Sequence, residues 1–108
     1  MSSTQILKGI LEGCLLSIIA KKETYGYEMM EKLSEYGFTM VSEGSIYPLL
    51  LRMRKEGLVT TSQHKISSGG PRRKYYSLTE KGQKELLQFK EHWEVISNSV
   101  ARLLEQGG

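Results

Sequence analysis

The chain has 108 residues, a formal net charge of +3 and one cysteine. That length fits one small domain, and a lone cysteine excludes both a disulfide framework and a cysteine-based metal site. No basic leader precedes an apolar run at the start, and no apolar run approaches the roughly 20 residues of a membrane span. We therefore expect a soluble, cytoplasmic protein with no membrane partner, no cofactor and no bound metal.

Basic residues are concentrated in the middle of the chain. Residues 52–74 include seven lysine and arginine side chains and one glutamate, whereas residues 79–108 carry four basic and five acidic side chains. This uneven distribution is typical of a surface that binds a polyanion, beside a segment with another task.

Two helices are predicted before residue 38. Apolar pairs recur every four residues over 4–21, which predicts a helix whose apolar face is wider than one small domain requires. Part of that face is therefore available to a second subunit. Thr24 is expected to cap a helix over 25–36, with Gly37 just past its end. The apolar residues 38–41 form a short link, for which a small strand is one option.

The helix predicted next, over 42–57, carries the most informative pattern. At 100° per residue one side is apolar, and the opposite side holds small, apolar, phenolic and cationic groups almost without acid. That mixture suits base edges and phosphates, so we interpret the segment as the DNA-recognition helix of a helix-turn-helix. A plain amphipathic helix with a solvated cationic face is the alternative. The buried side is formed by Ile46, Leu49, Leu50 and Met53, and the exposed side by Gly44, Pro48, Leu51, Arg52 and Lys55, with Tyr47 and Arg54 toward one edge.

Pro48 limits where this helix begins. If Ser45 is the N-cap, Pro48 lies in the first turn and its missing N–H costs nothing. If Ser42 is the N-cap, a kink at Pro48 is expected. In both cases backbone N–H groups near Gly44 and Ser45 are available to a phosphate.

A basic hairpin is predicted directly after this helix. The composition of 58–66 and 72–78 favours two strands, joined by a turn rich in Ser, Gly and Pro over 67–71. The returning strand begins with three consecutive cations, Arg72, Arg73 and Lys74. Such a hairpin is the wing of a winged-helix domain. An ordinary solvent-exposed hairpin, the alternative, accounts for the turn but not for the three cations.

The last helix is expected to begin after Thr79, as its cap, and to run to about residue 106. Apolar residues recur along it at alternating intervals of three and four, an a/d pattern that favours dimerisation. Folding back onto its own domain is the alternative. Trp93 either leaves an aromatic wall beside a small-molecule cavity or simply fills the interface. The predicted seam consists of Leu86, Phe89, Trp93, Ile96, Val100 and Leu103.

Four stretches of the chain resemble the PadR family of bacterial transcriptional regulators, in the family's order and over most of the chain. The resemblance implies a homodimeric winged-helix repressor that binds an inverted repeat in double-stranded DNA. The recognition helix would lie in the major groove, and the wing along the phosphates or the minor groove. Because the chain stops after one C-terminal helix, it is similar to the short branch of the family, which dimerises through the last helix and the first. The stretches are YGYEM at 25–29, GSIYPLL at 44–50, EGLV at 56–59 and GPRRKYYSLTEKG at 70–82.

The resemblance also implies roles for individual residues. Trp93 matches a tryptophan with which some short-branch members stack planar compounds at the dimer centre. It therefore implies a planar lipophilic or phenolic effector, with Phe89, Ser17 and Ser97 as further candidates for that pocket. By position, the residues that match DNA contacts are Tyr25, Gly26, Ser45, Tyr47 and Pro48, with Arg72, Arg73 and Lys74 in the wing. The exposed side of the recognition helix adds Gly44, Arg52 and Lys55 as candidates.

These expectations combine into a mainly α fold with a small β-hairpin: a winged helix-turn-helix domain over 1–78 and a dimerisation helix over 79–108. The expected function is that of a sequence-specific DNA-binding transcriptional regulator, a homodimeric repressor released by a small-molecule effector. A winged-helix module whose basic face meets an acidic partner protein is the alternative. The sequence does not favour an enzyme, since it offers no nucleophile–base pair, carboxylate pair or phosphate-binding loop.

Overall fold

A computed structural model of the protein describes residues 3–65 and 72–107. Within these ranges five helices and three strands follow one another, and the strands form one antiparallel sheet in the order β1-β3-β2. The mainly helical fold with a small hairpin is confirmed, and the structure adds a third strand. The elements are α1 (Ser3–Lys8), α2 (Leu11–Lys21), β1 (Thr24–Tyr25), α3 (Gly26–Glu35), α4 (Glu43–Lys55), β2 (Val59–Lys65), β3 (Arg72–Leu78) and α5 (Glu80–Gly107).

The hairpin has the strands that the composition predicts. β2 and β3 pair from Val59 opposite Leu78 to Lys65 opposite Arg72. The three predicted cations therefore begin the returning strand, as expected. The predicted turn over 67–71 lies outside the described residues.

The first predicted helix is wrong in one respect, because the structure divides it into α1 and α2. The break falls at Gly9 and Ile10, where the Ile10 N–H donates to the Leu7 carbonyl at 2.9 Å, a turn tighter than α-helix. Gly9 has low helix propensity, which favours a break at this point. The repeat of apolar pairs reports which side is buried, and it does not report whether the backbone ladder is continuous.

The predicted cap at Thr24 is also wrong. Thr24 lies in β1, opposite Tyr76 of β3, and its buried hydroxyl donates to the Glu28 carboxylate at 2.5 Å. The helix begins one residue after Tyr25, which occupies the N-cap position without a side-chain cap bond. A two-residue strand owes its existence to the partner strand some 50 residues away, so local propensity does not reveal it.

Glycines end both central helices in the same way. Gly37 after α3 and Gly57 after α4 have φ of 101° and 78°, in the left-handed region. The following residues close the helix ends: Phe38 N–H donates to the Leu33 carbonyl at 2.9 Å, and Leu58 N–H to the Met53 carbonyl at 2.9 Å. These are Schellman motifs, and the predicted terminal role of Gly37 is confirmed. Residues 38–41 form a turn and coil, so the option of a strand there is wrong.

One hydrophobic core joins the helices to the sheet. At least one buried apolar or aromatic side chain comes from each of α2, α3, α4, β2, β3 and α5. α4 packs its buried side on α3 and β2, and α2 packs on α3, β3 and α5. The most completely buried core residues are Leu15 and Leu16 of α2, Met29 and Leu33 of α3, Ile46, Leu50 and Met53 of α4, and Val59 of β2.

α4 begins at Glu43, so Ser42 rather than Ser45 occupies the N-cap position. The Ser42 hydroxyl makes no cap bond to the backbone and lies 3.3 Å from the Ser45 hydroxyl. Pro48 is consequently inside the helix, where it leaves the Gly44 carbonyl without its usual intrahelical donor. The kink at Pro48 stays a prediction.

The start of α5 is fastened to the end of α4. Thr79 accepts a hydrogen bond from the Gly82 N–H at 3.0 Å, which confirms it as the cap of α5, and its hydroxyl donates to the Gly57 carbonyl at 2.6 Å. A Cβ at Gly82 would lie 2.1 Å from the Leu58 carbonyl oxygen, so only glycine fits this crossing. Like the other described helices, α5 is not long and apolar enough to cross a membrane.

Candidate nucleic-acid interface

The two sides of α4 differ as the helical wheel predicts. Ile46, Leu50 and Met53 are completely buried, and Leu49 packs at the edge of the core. On the other side Tyr47 is 45% exposed, and no acidic residue interrupts the helix between Glu43 and its end. The other exposed residues of this side are Gly44, Ser45, Pro48, Leu51, Arg52, Arg54 and Lys55. α4 thus presents small, aromatic and cationic groups to solvent.

Tyr47 lies across the first turn of α3. A Cβ at Gly26 would be 2.7 Å from the Tyr47 hydroxyl oxygen and 2.8 Å from its ring carbons, so this approach requires glycine at position 26. The ring therefore leans on the backbone of α3 instead of extending freely into solvent. The contact brings together two of the residues predicted from the sequence, although they are 21 positions apart.

The start of the wing completes a concavity beside Tyr47. Its volume is about 350 Å³, and it separates the first turn of α3 from the exposed start of β3. The lining is aromatic and cationic and includes no carboxylate: Tyr25, Gly26, Tyr27, Tyr47, Arg73, Lys74 and Tyr76. A negatively charged group such as a phosphate is the chemical complement of such a surface.

Arg73 is oriented by aromatic contacts. Its guanidinium carbon lies 4.5 Å from the centre of the Tyr25 ring, a cation–π arrangement. Tyr25 in turn packs edge-to-face on Tyr75, with ring centres 5.3 Å apart. The exposed guanidinium is thereby held at the mouth of the concavity. Burial raises the pKa of the neighbouring Tyr76 phenol, which keeps that group neutral.

Arg52 differs from the other cations of α4. Its guanidinium makes an ion pair with Glu12 of α2, and its Nε lies 3.9 Å from the Glu56 carboxylate. The hydrogen bond that Arg52 donates to Glu12, followed by the charge of that carboxylate, raises the pKa of Arg52 above its usual value. Arg52 is thus exposed at the surface of α4, but its charged end is directed toward α2. The sequence contains no signal for this pairing of residues 40 positions apart.

The predicted seam of α5 divides into two parts. Leu86 is buried and Phe89 is half-buried, because both pack on the core. Farther along, Trp93 is 44% exposed and Leu103 is 72% exposed. Ile96 and Val100 are exposed as well. The described residues therefore cover the first part of the seam and leave the second part open.

The four candidates for an effector pocket are not brought together within one chain. Ser17 and Phe89 line a cavity of about 530 Å³ between α2, α3 and the start of α5. Trp93 and Ser97 are absent from its lining, and the Ser97 hydroxyl donates to the Glu94 carbonyl at 3.3 Å. Cys14 also lines the cavity, and burial raises the pKa of its thiol.

Comparison with known proteins places this architecture in a family. The model of the transcriptional regulator PadR-like family matches residues 15–88, from α2 into α5. The chain belongs to the PadR-like family of transcriptional regulators. A crystal structure of a PadR-like transcriptional regulator from Bacillus cereus is 55% identical, with a TM-score of 0.84, covering 93% of this chain and 96% of that one. A Streptococcus transcriptional regulator is 39% identical, with a TM-score of 0.82 and coverage of 92% and 96%.

A more distant relative agrees with this assignment. A transcriptional regulator of Mycobacterium tuberculosis is 29% identical over 86 residues, which is 80% of this chain and 78% of that protein. Members of the PadR-like family are transcriptional regulators and not enzymes, so the non-enzymatic expectation is confirmed by family membership. The winged helix with a C-terminal helix is likewise the architecture of these neighbours.

Sequence reasoning missed three residues of the interface region. Tyr27 and Tyr76 line the concavity with the predicted residues, and Glu12 holds Arg52. Tyr27 lies inside the YGYEM stretch, so its position offered a signal. Tyr76 lies inside the stretch at 70–82 and offered the same signal, whereas Glu12 is brought in by helix packing, which local patterns do not encode.

Proposed function

We propose that this PadR-like regulator binds an inverted-repeat operator as a homodimer and represses transcription from it. The observation that carries the proposal is the surface made by α4, the first turn of α3 and β3, which joins Tyr47, Arg73 and Lys74 around one acid-free concavity. A duplex offers phosphates beside a groove that admits one helix. Since this function requires access to chromosomal DNA, the proposal includes a cytoplasmic location.

Two kinds of contact contribute to DNA binding, one to affinity and the other to the choice of bases. The cations of the wing, Arg72, Arg73 and Lys74, supply affinity that is independent of sequence and falls with salt, and Lys55 adds to it from α4. The small and aromatic groups of α4 discriminate bases, with Tyr47 held in place on Gly26. Gly44, Ser45 and Pro48 allow the backbone of α4 to come close to the groove, and Tyr25 orients Arg73.

Dimerisation supplies a second α4 helix for binding DNA. The open part of the α5 seam, Trp93 to Leu103, is the apolar surface that a second copy of the chain covers. Two copies related by a twofold axis present two α4 helices, whose separation must be about 34 Å to enter successive major grooves. This arrangement explains why an operator with inverted symmetry is expected.

Release of the operator by an effector is the regulatory part of the proposal. A planar lipophilic or phenolic compound would bind between the protomers at Trp93, with Phe89, Ser17 and Ser97 as further contacts. Such a compound lowers operator affinity only if it prefers a dimer with a different separation of the α4 helices. Its site is therefore complete only in the dimer.

Selection of bound duplexes from a random DNA pool tests the proposed function. We expect the selected sequences to contain two related half-sites with inverted symmetry, spaced by about one helical turn. A winged-helix module for an acidic protein partner would instead retain no preferred sequence at physiological salt. Enrichment without twofold symmetry would contradict the homodimeric mode of binding.

The variant Arg73→Ala tests the division of work. We expect it to weaken binding to every duplex and to reduce the slope of log K against log salt by about 0.9, the contribution of one phosphate contact. An unchanged slope would exclude a phosphate contact at Arg73. The matched control is Lys90→Ala, which removes an exposed cation of α5 that does not line the concavity.

A further inference from the structure

Among residues 3–65 and 72–107, Arg52 is the one cation of the exposed α4 surface that makes an ion pair with another helix. Its partner Glu12 is the second residue of α2, and the Glu12 side chain is only 23% exposed. The guanidinium therefore reaches from α4 to a carboxylate that is partly shielded from water. Shielding of this kind reduces the screening that weakens fully exposed ion pairs.

This ion pair closes the side of α4 that faces α1 and α2. α4 packs mainly on α3 and β2 through its buried residues. On the α2 side there is a groove of about 360 Å³, in which Arg52 lies with Leu7, Leu11 and Leu49. The Arg52–Glu12 pair is thus a polar contact between α4 and α2 beside a groove whose lining is mostly apolar and also includes Lys8 and Ser45.

A second contact extends the connection to α5. Arg52 also faces the Glu56 carboxylate, and the Glu56 backbone carbonyl accepts a hydrogen bond from Lys81 of α5 at 2.7 Å. The end of α4 is therefore held by α2 through Arg52 and by α5 through Lys81 and Thr79. α2 and α5, which hold the end of α4 in this way, also pack against each other.

We propose that Arg52 is a positioning residue, which fixes α4 on α2 through Glu12 and does not neutralise a DNA phosphate. The inference rests on the proposed function, in which α4 enters the major groove. A guanidinium that already donates to one carboxylate and is attracted by a second would have to give up the charge-assisted bond to Glu12 and the attraction of Glu56 before it could bind a phosphate. Arg73, which lies over an aromatic ring in an acid-free concavity, carries no such cost.

The inference changes the expected role of one residue in reading DNA. Arg52 sets the angle at which Tyr47 and the first turns of α4 meet the duplex, because rotation of α4 about its buried side would break the pair with Glu12. It also links that angle to α2, which carries the Phe89 contact at Gly13, the residue next to Glu12.

Exchange of the two charges tests this assignment. Operator titrations compare the parent, Arg52→Glu, Glu12→Arg and the double variant carrying both substitutions, at several salt concentrations. The Arg52→Glu variant is expected to bind on the order of tenfold more weakly, and the double variant to recover most of that loss. If Arg52 contacts a phosphate, the double variant stays as weak as Arg52→Glu, since a carboxylate then faces the DNA. That result would overturn the inference.

A second variant protects the test against failure of the charge-reversed proteins to fold. Arg52→Met keeps the aliphatic part of the side chain and removes the charge. A positioning role predicts weaker binding with an unchanged salt slope, whereas loss of a phosphate contact lowers the slope by about 0.9. Arg73→Met is the matched control, for which the lower slope is expected.

The same titrations separate this inference from the proposed function. Preferential binding of the selected operator by the parent protein tests the function and does not depend on Arg52. Parent binding without recovery in the double variant contradicts the positioning role alone, and a parent that prefers no sequence contradicts the function itself.

Discussion

The two parts of the α5 seam have the same sequence pattern and opposite surroundings. Leu86 and Phe89 repeat with the spacing that continues through Trp93, Ile96, Val100 and Leu103, yet only the first two pack on the core. The difference arises where the helix leaves the winged domain. Its 28 residues extend over about 42 Å, which is longer than the core that supports its start.

The comparison shows what an apolar repeat does and does not specify. The a/d spacing predicts that one side of a helix is covered, and it does not specify which surface covers it. In the first part the answer lies in the same chain, since Gly13 of α2 leaves room for the Phe89 ring. In the second part the proposed answer is the same helix of a second copy. The following experiments test the two parts against each other.

The largest effect is expected when a core residue is compared with an open seam residue. Leu50→Ala should lower the free energy of unfolding by about 2–5 kcal/mol at every protein concentration, because it empties a fully buried site. Leu103→Ala removes the same atoms from an exposed site, so it should leave stability unchanged at low protein concentration, where the chain is monomeric, and lower it at high concentration, where dimerisation stabilises the parent. Urea unfolding at two concentrations measures both. Equal, concentration-independent losses would contradict the division of the seam.

A charge placed on the open part of the seam tests the dimer separately from the fold. Val100→Glu should convert the protein to a monomer on size-exclusion chromatography and lower operator affinity, while the circular dichroism of the winged domain stays that of the parent. Val95→Glu is the matched control, since Val95 is exposed on the same helix but outside the a/d spacing. If both variants elute as the parent does, the seam is not an interface.

The covered part of the seam is tested by Gly13→Ala. The added Cβ would lie 2.4 Å from three carbons of the Phe89 ring, so the ring must move. Overpacking costs about 1–3 kcal/mol and exceeds the gain of about 1 kcal/mol in helix propensity, so thermal unfolding should occur at a lower temperature. Gly44→Ala is the control, because it gains the same propensity on an exposed helix with ordinary contact distances, and it should stabilise the protein. A Gly13→Ala protein as stable as Gly44→Ala would contradict the close contact.

The smallest effect concerns Cys14 beside the covered part. Burial raises the pKa of its thiol, so less thiolate is present at a given pH than in the unfolded chain. Alkylation at pH 8 should therefore be slower in the folded protein than in urea. The stability that the neutral thiol contributes is complete below its ordinary pKa and is lost as pH rises through the raised value. Equal alkylation rates would show that Cys14 is not shielded.

Much of the fold follows from patterns that are local in the sequence. The helical wheel of α4 predicts its buried residues because one face of a single helix meets one core. Gly37 and Thr79 mark helix ends because their geometric roles depend only on the adjacent turn. The strands of the hairpin follow from composition and from the Gly-rich segment between them.

The parts that escaped prediction depend on partners far along the chain. β1 exists because Tyr25 pairs with β3, and the break between α1 and α2 follows from backbone geometry that apolar spacing does not report. The candidate site has the same character. The sequence nominates Tyr47, Gly26 and Arg73 through motifs, but their meeting in one concavity and the engagement of Arg52 by Glu12 arise only from packing.

Sedimentation equilibrium of the parent protein at micromolar concentration tests the central claim most directly, since the claim is that two copies joined along the open seam hold two α4 helices at a fixed separation. The account predicts a mass twice the 12.3 kDa of one chain, and the same twofold mass for Val95→Glu. A mass of 12.3 kDa for the parent across the micromolar range would contradict it.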